Sequence, residues 1–239
     1  MGLYNMTFNF SKIELNKYNA LIFTVYLPSV NEKIKHLYEC LSIQEKNKSK
    51  NFINSYLSQQ YIISHGLLRY LLAYYTRDNP QNIEYSFNQF DKPFLKNSNS
   101  NIQFNMSHSK DYVVYIIALD CQVGIDIEWK SKNIDVQELS DLVLTKEEKI
   151  IFNKLRSEEK LNTFYEVWTK KEAILKANGY GLSYPMKLIN VMDISKNNRK
   201  TYYQFNNTEF YCSALNNING YEGTAALMNQ IRELIQISL

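Results

Sequence analysis

The sequence predicts an α+β fold made of two similar halves, and three observations carry that reading. A helical stretch followed by strands occurs once before residue 120 and again after it, which points to two helix-on-sheet units. No Gly-, Pro- or Ser-rich linker separates the two successions, so the halves, residues 1–119 and 120–239, are expected to pack closely. With 45% apolar residues over 239, the chain has the material for one domain or two compact ones.

Taken in order, Leu21 to Leu27 is apolar and rich enough in β-formers to be a buried strand, stopped by Pro28. Asn31 caps a helix through Cys40, and Ser42-Ile43-Gln44-Glu45 has the spacing of a capping box, opening further helix. Leu57, Tyr61, Leu68, Leu71, Leu72 and Tyr75 recur at helical intervals, so a long helix buries one face. Asp78 to Pro80 and Asp91-Lys92-Pro93 mark turns, after which Ile102, Phe104 and Met106 alternate with polar residues as in a half-buried strand. Tyr112 to Leu119 and Val123 to Trp129 read as two strands of a hairpin, joined through Asp120-Cys121-Gln122. Thr145-Lys146-Glu147-Glu148 is a second capping box for a helix to about Leu155, and Glu159 to Ala177 forms the next, ended by Asn178-Gly179. Lys187 to Met192, Lys200 to Phe205, Phe210 to Leu215 and Gly223 to Leu227 complete the second half as strands.

No run approaches the ~20 apolar residues of a membrane-spanning helix. Lys and Arg exceed Asp and Glu by 27 − 24 = 3, too small an excess for a nucleic-acid footprint. Met1 to Ser11 lacks the order of a secretory signal, and Cys40, Cys121 and Cys212 have no paired or zinc-like spacing; a reducing cytoplasm is expected.

Two segments carry chemistry. In Val123-Gly124-Ile125-Asp126-Ile127-Glu128 the two-residue period puts Val123, Ile125 and Ile127 on one face and Gly124, Asp126 and Glu128 on the other. At ~3.3 Å per residue, the two carboxylates lie roughly 6 to 7 Å apart at Cβ, within reach of one hard cation. Gly124 leaves room beside them for a ligand to approach the backbone. On a helix, Trp168, Glu172 and Lys176 fall four apart on one stripe, with Lys171 beside them. Taken alone, the first segment reads as a strand with one wet face and the second as a surface Glu-Lys pair beside a core Trp. Together they offer three carboxylates and two ammonium groups for a divalent metal and phosphate oxygens. His36 and His65 read as structural or solvated, and no G-x-S-x-G elbow makes His108 part of a hydrolase triad.

The two segments, about forty residues apart, resemble the paired signature motifs of the 4′-phosphopantetheinyl transferases. Three further elements agree in order: Phe90-Asp91-Lys92-Pro93 is similar to the family's G-K-P with Asp for Gly, Asn105-Met106-Ser107-His108-Ser109 to its N-x-S-H-S, and Gly179-Tyr180-Gly181-Leu182 to the stretch after the second motif. The length resembles the long, surfactin-synthetase-activating type. That resemblance implies an intramolecular pseudo-dimer, a monomer in solution, with coenzyme A and magnesium, or manganese in its place, between the halves. It implies transfer of 4′-phosphopantetheine from coenzyme A to a serine of an apo acyl, peptidyl or polyketide carrier protein, with release of 3′,5′-ADP. By the same resemblance Asp126, Glu128 and Glu172 hold the metal, and Lys171 and Lys176 neutralise phosphates. Lys92, Ser107 and His108 bind the nucleotide, in the N-terminal half. Glu172, or a metal-bound water, is the first candidate for the base, Glu128 the second, and Lys176 assists the leaving group. Counting back from Arg69, Gln60 stands where the family carries a nucleotide-gripping Arg. Two other classes compete: a metal-dependent phosphohydrolase acting on coenzyme A-like nucleotides with the same carboxylates, and a non-enzymatic binder of an acidic or helical partner.

Overall fold

The computed structural model describes residues 13–96, 101–192, 200–216, 218–228 and 233–239; the expectation for Met1 to Ser11 falls outside them. In chain order the elements are β1 (Asn19–Tyr26), α1 (Ile34–Cys40), α2 (Ile43–Lys50), α3 (Ser55–Thr76), β2 (Tyr85–Phe87), β3 (Pro93–Leu95), β4 (Ile102–Ser109), β5 (Tyr112–Leu119) and β6 (Val123–Trp129). There follow α4 (Val136–Val143), α5 (Lys146–Phe152), α6 (Ser157–Asn178), β7 (Lys200–Phe205), β8 (Thr208–Ala214), β9 (Tyr221–Leu227) and β10 (Glu233–Ser238).

Two four-stranded sheets form, ordered β10-β1-β5-β4 and β6-β9-β8-β7. Strand periodicity divides their side chains. Leu21, Phe23, Val113, Tyr115 and Ile117 face α3, with its Ile63, Leu67 and Leu71, whereas Ala20, Ile22, Val114 and Ile116 face Val123, Ile125, Ile127 and Ala225 of the other sheet. The outer face of the second sheet, with Phe210, Cys212 and Ala226, packs on α6. The result is helix, sheet, sheet, helix: the expected α+β arrangement of two comparable halves, joined by an apolar inter-sheet core.

Several elements differ from expectation. β5 and β6 are not a hairpin: both edges of β5 are taken by β1 and β4, and the chain crosses from one sheet to the other at Asp120, whose φ is 55°. The hairpin is β4–β5, turning at Lys110 and Asp111. Leu27–Lys33 is a 3-10 turn, so Asn31 caps nothing and α1 starts only at Ile34. Lys187 to Met192 is not a strand; Ile189 and Val191 are buried as a strand's alternation suggests, but the Val191 amide donates to Glu148 Oε1 at 2.7 Å rather than to a neighbouring strand. Both capping boxes are present, Ser42 with Glu45 and Thr145 with Glu148. Sequence reasoning missed β2, β3, α4 and β10. β10 pairs in parallel with β1, from Asn19↔Glu233 to Thr24↔Ser238, so the last strand of the chain belongs to the first sheet.

Candidate active site at the seam between the halves

β4 and β6 are edge strands of different sheets and run side by side. Their joint is a row of side chains: Asn105 Oδ1 accepts from the Ile125 amide at 3.0 Å, and Ser109 Oγ accepts from the Trp129 amide at 3.0 Å. Edge donors of β6 are thereby satisfied, as buried amides must be.

Gly124, Asp126 and Glu128 share the face of β6 that meets α6, as the two-residue period required. The reason for Gly124 is different from the one expected. A Cβ there would collide with the Ala173 carbonyl oxygen and the Ala177 amide nitrogen, so the space beside it is filled by the backbone of α6 and not by a ligand. This close approach brings Glu172 and Lys176 down onto the carboxylates of β6. Lys176 Nζ donates to Asp126 Oδ1 at 2.6 Å, to Ser107 Oγ at 3.1 Å and to the Ile125 carbonyl at 3.2 Å; Ser107 Oγ donates to Asp126 Oδ1 at 2.8 Å. Ser109 Oγ donates to Glu128 Oε2 at 2.9 Å.

Electrostatically the cluster is short of positive charge. Burial, and then the Asp126 carboxylate, push the Glu172 carboxyl up to about 7 against the pull of Lys176. The same two causes, in the same order, raise Glu128. Asp126 Oδ2 is buried and has no hydrogen-bond partner. An orphaned carboxylate oxygen beside two acids that repel it suits a hard divalent cation with oxygen ligands. Among the described residues, however, no three such side chains are already drawn together at ligand spacing, and Lys176 is the counter-ion present on Asp126.

Other expected site residues lie elsewhere or do other things. Lys171 does not reach the site. One residue from Glu172 on a helix is a turn of about 100°, and its ammonium, 0% exposed, donates to the Val143 carbonyl at 2.7 Å and to Glu148, bound also by the Thr145 and Val191 amides. It is an internal strut of the second half. Lys92 is likewise committed: its three ammonium protons go to Gln122 Oε1 at 2.9 Å, the Val123 carbonyl at 3.3 Å and the Ala177 carbonyl at 2.9 Å, and burial lowers it to about 8. Ser107 donates to Asp126 and accepts from Lys176, so in this structure it orients the carboxylate. Gln60 is buried and donates to the Lys110 carbonyl in the β4–β5 turn; it does not stand in for an arginine.

His108 alternates with Ser107 and shares the face of Met106. That face borders a groove of about 660 Å³ whose lining includes Lys48, Tyr61, His65, Tyr85, Asp91 and Met106. The Tyr85 hydroxyl is buried there without a partner. His108 is exposed, yet the protein crowding its ring, and next the Lys176 charge, keep its imidazole below the ordinary value. Arg69 crosses the groove floor as a structural residue, held by Glu45 at 2.7 Å and by the Pro80 and Ile83 carbonyls at 2.9 Å each. Asp91 has φ 62°, the left-handed region that favours glycine, which accounts for the Gly of the motif it resembles.

Sequence reasoning overlooked Asn88 and, though it read Asn105 and Ser109 as members of a motif, gave them no role. Asn88 Oδ1 accepts from the Phe90 and Lys92 amides at 2.9 Å each while its Nδ2 donates to the Gly179 carbonyl at 2.9 Å, tying the Asp91 turn to the end of α6. Its signal was an Asn at the head of a turn. For Asn105 and Ser109 the signal was their period of two with Ser107.

Comparison with known proteins finds matches to both halves of the chain. Residues 122–226 match the model of the 4′-phosphopantetheinyl transferase superfamily, and residues 27–119 match that of the 4′-phosphopantetheinyl transferase N-terminal region. The chain is 30% identical over 185 residues to the 4′-phosphopantetheinyl transferase gsp of Aneurinibacillus migulanus, covering 76% of this chain and 74% of the relative. With the 4′-phosphopantetheinyl transferase Sfp of Bacillus subtilis it shares 27% over 173 residues, 71% of this chain and 75% of Sfp. With HetI of Nostoc sp. it shares 26% over 164 residues, 68% and 69%. Two matched halves, a carboxylate cluster on the second half braced by serines of the first, and relatives aligned over most of their length lead to one conclusion: the chain belongs to the 4′-phosphopantetheinyl transferase superfamily and is of the Sfp-like type.

Proposed function

We propose that this protein transfers 4′-phosphopantetheine from coenzyme A to a serine of an apo carrier protein, with magnesium, or manganese in its place, held by Asp126, Glu128 and Glu172. The observation that supports it most is the orphaned, buried Asp126 Oδ2, on a carboxylate whose charge acts on both Glu128 and Glu172, in a chain of this family. A divalent cation held by these three carboxylates would supply positive charge for phosphate oxygens. The serine oxygen forms a bond to the β-phosphorus, the phosphoanhydride bond breaks, and 3′,5′-ADP leaves with the bonding pair. Glu172 is the first candidate for taking the serine proton and Glu128 the second. Lys176 supplies the fixed positive charge beside the leaving group.

In this reading the N-terminal half, 1–119, supplies the nucleotide groove with His108 at its edge, and the C-terminal half, 120–239, supplies the carboxylates. One chain completes the site, so the working unit is a monomer. Three buried cysteines, Cys40, Cys121 and Cys212, suit a reducing compartment such as the cytoplasm. No helix among the described residues is long and apolar enough to cross a membrane. The test is intact-protein mass spectrometry of apo acyl, peptidyl and polyketide carriers incubated with the enzyme, coenzyme A and magnesium. The expected result is addition of one phosphopantetheinyl group per carrier. No addition to any carrier class by the folded enzyme would overturn the assignment.

A further inference from the structure

Two side chains of β4 accept from edge amides of β6, and they do different work. Asn105 accepts from a backbone amide and touches no carboxylate of the cluster; Ser109 accepts from a backbone amide and also donates to Glu128. The Trp129 N–H can only donate, so at that contact Ser109 Oγ must accept, and its single proton is aimed away from the strand. It falls on Glu128 Oε2. A glutamate has more rotamer freedom than the aspartate two residues before it, and burial of its neighbours does not by itself choose among those rotamers. The backbone of one sheet thus sets the hydroxyl of a residue in the other, and the hydroxyl sets the carboxylate.

We propose that Ser109, on the N-terminal sheet, is a positioning residue for Glu128: its hydroxyl, polarised by the Trp129 amide, holds Oε2 so that Oε1 is presented to the cation. The proposal rests on the metal reading above. Orienting partners of this kind typically change metal affinity by 10- to 100-fold when removed.

The test titrates the full-length protein with Mn²⁺, without coenzyme A or carrier, reading free Mn²⁺ by electron paramagnetic resonance. Four proteins are compared: the parent, Ser109→Ala, Ser109→Thr and Asn105→Ala. Ser109→Ala is expected to weaken Mn²⁺ binding about tenfold. The threonine variant, which keeps the hydroxyl, returns to within about twofold of the parent. Asn105→Ala loses a seam hydrogen bond of the same kind and is destabilised similarly, but keeps the parent's Mn²⁺ affinity. Should the alanine variant not fold, Ser109→Cys keeps the volume with a weaker donor and carries the same expectation. Parent affinity in Ser109→Ala overturns the proposal, and so does an equal loss in Asn105→Ala, which would assign the effect to the seam as a whole. A folded parent that binds no Mn²⁺ overturns the metal reading and this proposal with it; a parent that binds while Ser109→Ala matches it overturns the proposal alone.

Discussion

Glu172 shows how a single residue links stability to chemistry. Its carboxyl rises from 4.5 to about 7 in the folded protein, so the folded state holds that proton more tightly than the unfolded one. The stabilisation is complete below pH 4.5 and is lost as pH rises through 7. Glu172→Gln is therefore expected, in chelator, to match the parent at pH 4.5 and to exceed it by about 1–3 kcal/mol at pH 8, measured by chemical denaturation. Turnover should fall by about 10²- to 10⁴-fold, the range for loss of a catalytic base. Its sequence neighbour behaves differently. Lys171→Met would leave Glu148 charged, 0% exposed and short of its cation, at a cost of about 3–5 kcal/mol in urea denaturation, with coenzyme A affinity unchanged. Parent stability with weakened coenzyme A binding would instead return Lys171 to the phosphates. Helical and strand periods made Asp126, Glu128, Glu172 and Lys176 legible as one group. The period could not reveal Lys171's partner, because Glu148 lies on another helix and only packing brings it near.

At the scale of elements, the site depends on how closely α6 lies on β6. Gly124 sets that approach, and Gly124→Ala is expected to cost about 3 kcal/mol or more, the upper end of overpacking, since both colliding atoms are backbone. The helix must lift, carrying Glu172 away from Asp126, and a misplacement of about 1 Å can cost 10²-fold in rate. Thermal denaturation and kcat on the same preparation would read both effects; parent values in each would mean that the approach is not tight. Long helices, both capping boxes and most strands were legible because local pattern specifies them. The β5–β6 hairpin was misread because a short polar joint between two strands looks the same whether the strands pair or part. What separates the cases is occupancy of the edges of β5, a property of the distant β1 and β4.

Across the whole molecule, the halves are held by the inter-sheet core, the β4–β6 side-chain row, and Lys92, whose ammonium joins the end of α6 to the start of β6. The first sheet also needs the last strand. Deleting residues 233–239 would uncover the parallel edge of β1 from Asn19 to Thr24, and the expected outcome is a melting temperature lower by about 6–12 °C, for some 3 kcal/mol lost, with self-association on size-exclusion chromatography. An unchanged, monodisperse variant would count against it. β10 was illegible because Leu234, Ile235 and Ile237 form a short apolar run whose partner lies at the other end of the chain. That pairing also has a consequence in time. A growing chain leaves the ribosome N-terminus first, at about 5–20 residues per second, so β1 waits roughly 10 to 40 s for its neighbour while the second half is still being translated. During that interval the nascent N-terminal half carries an open strand edge, and the point in synthesis at which it most needs a chaperone is fixed by where the chain places β10.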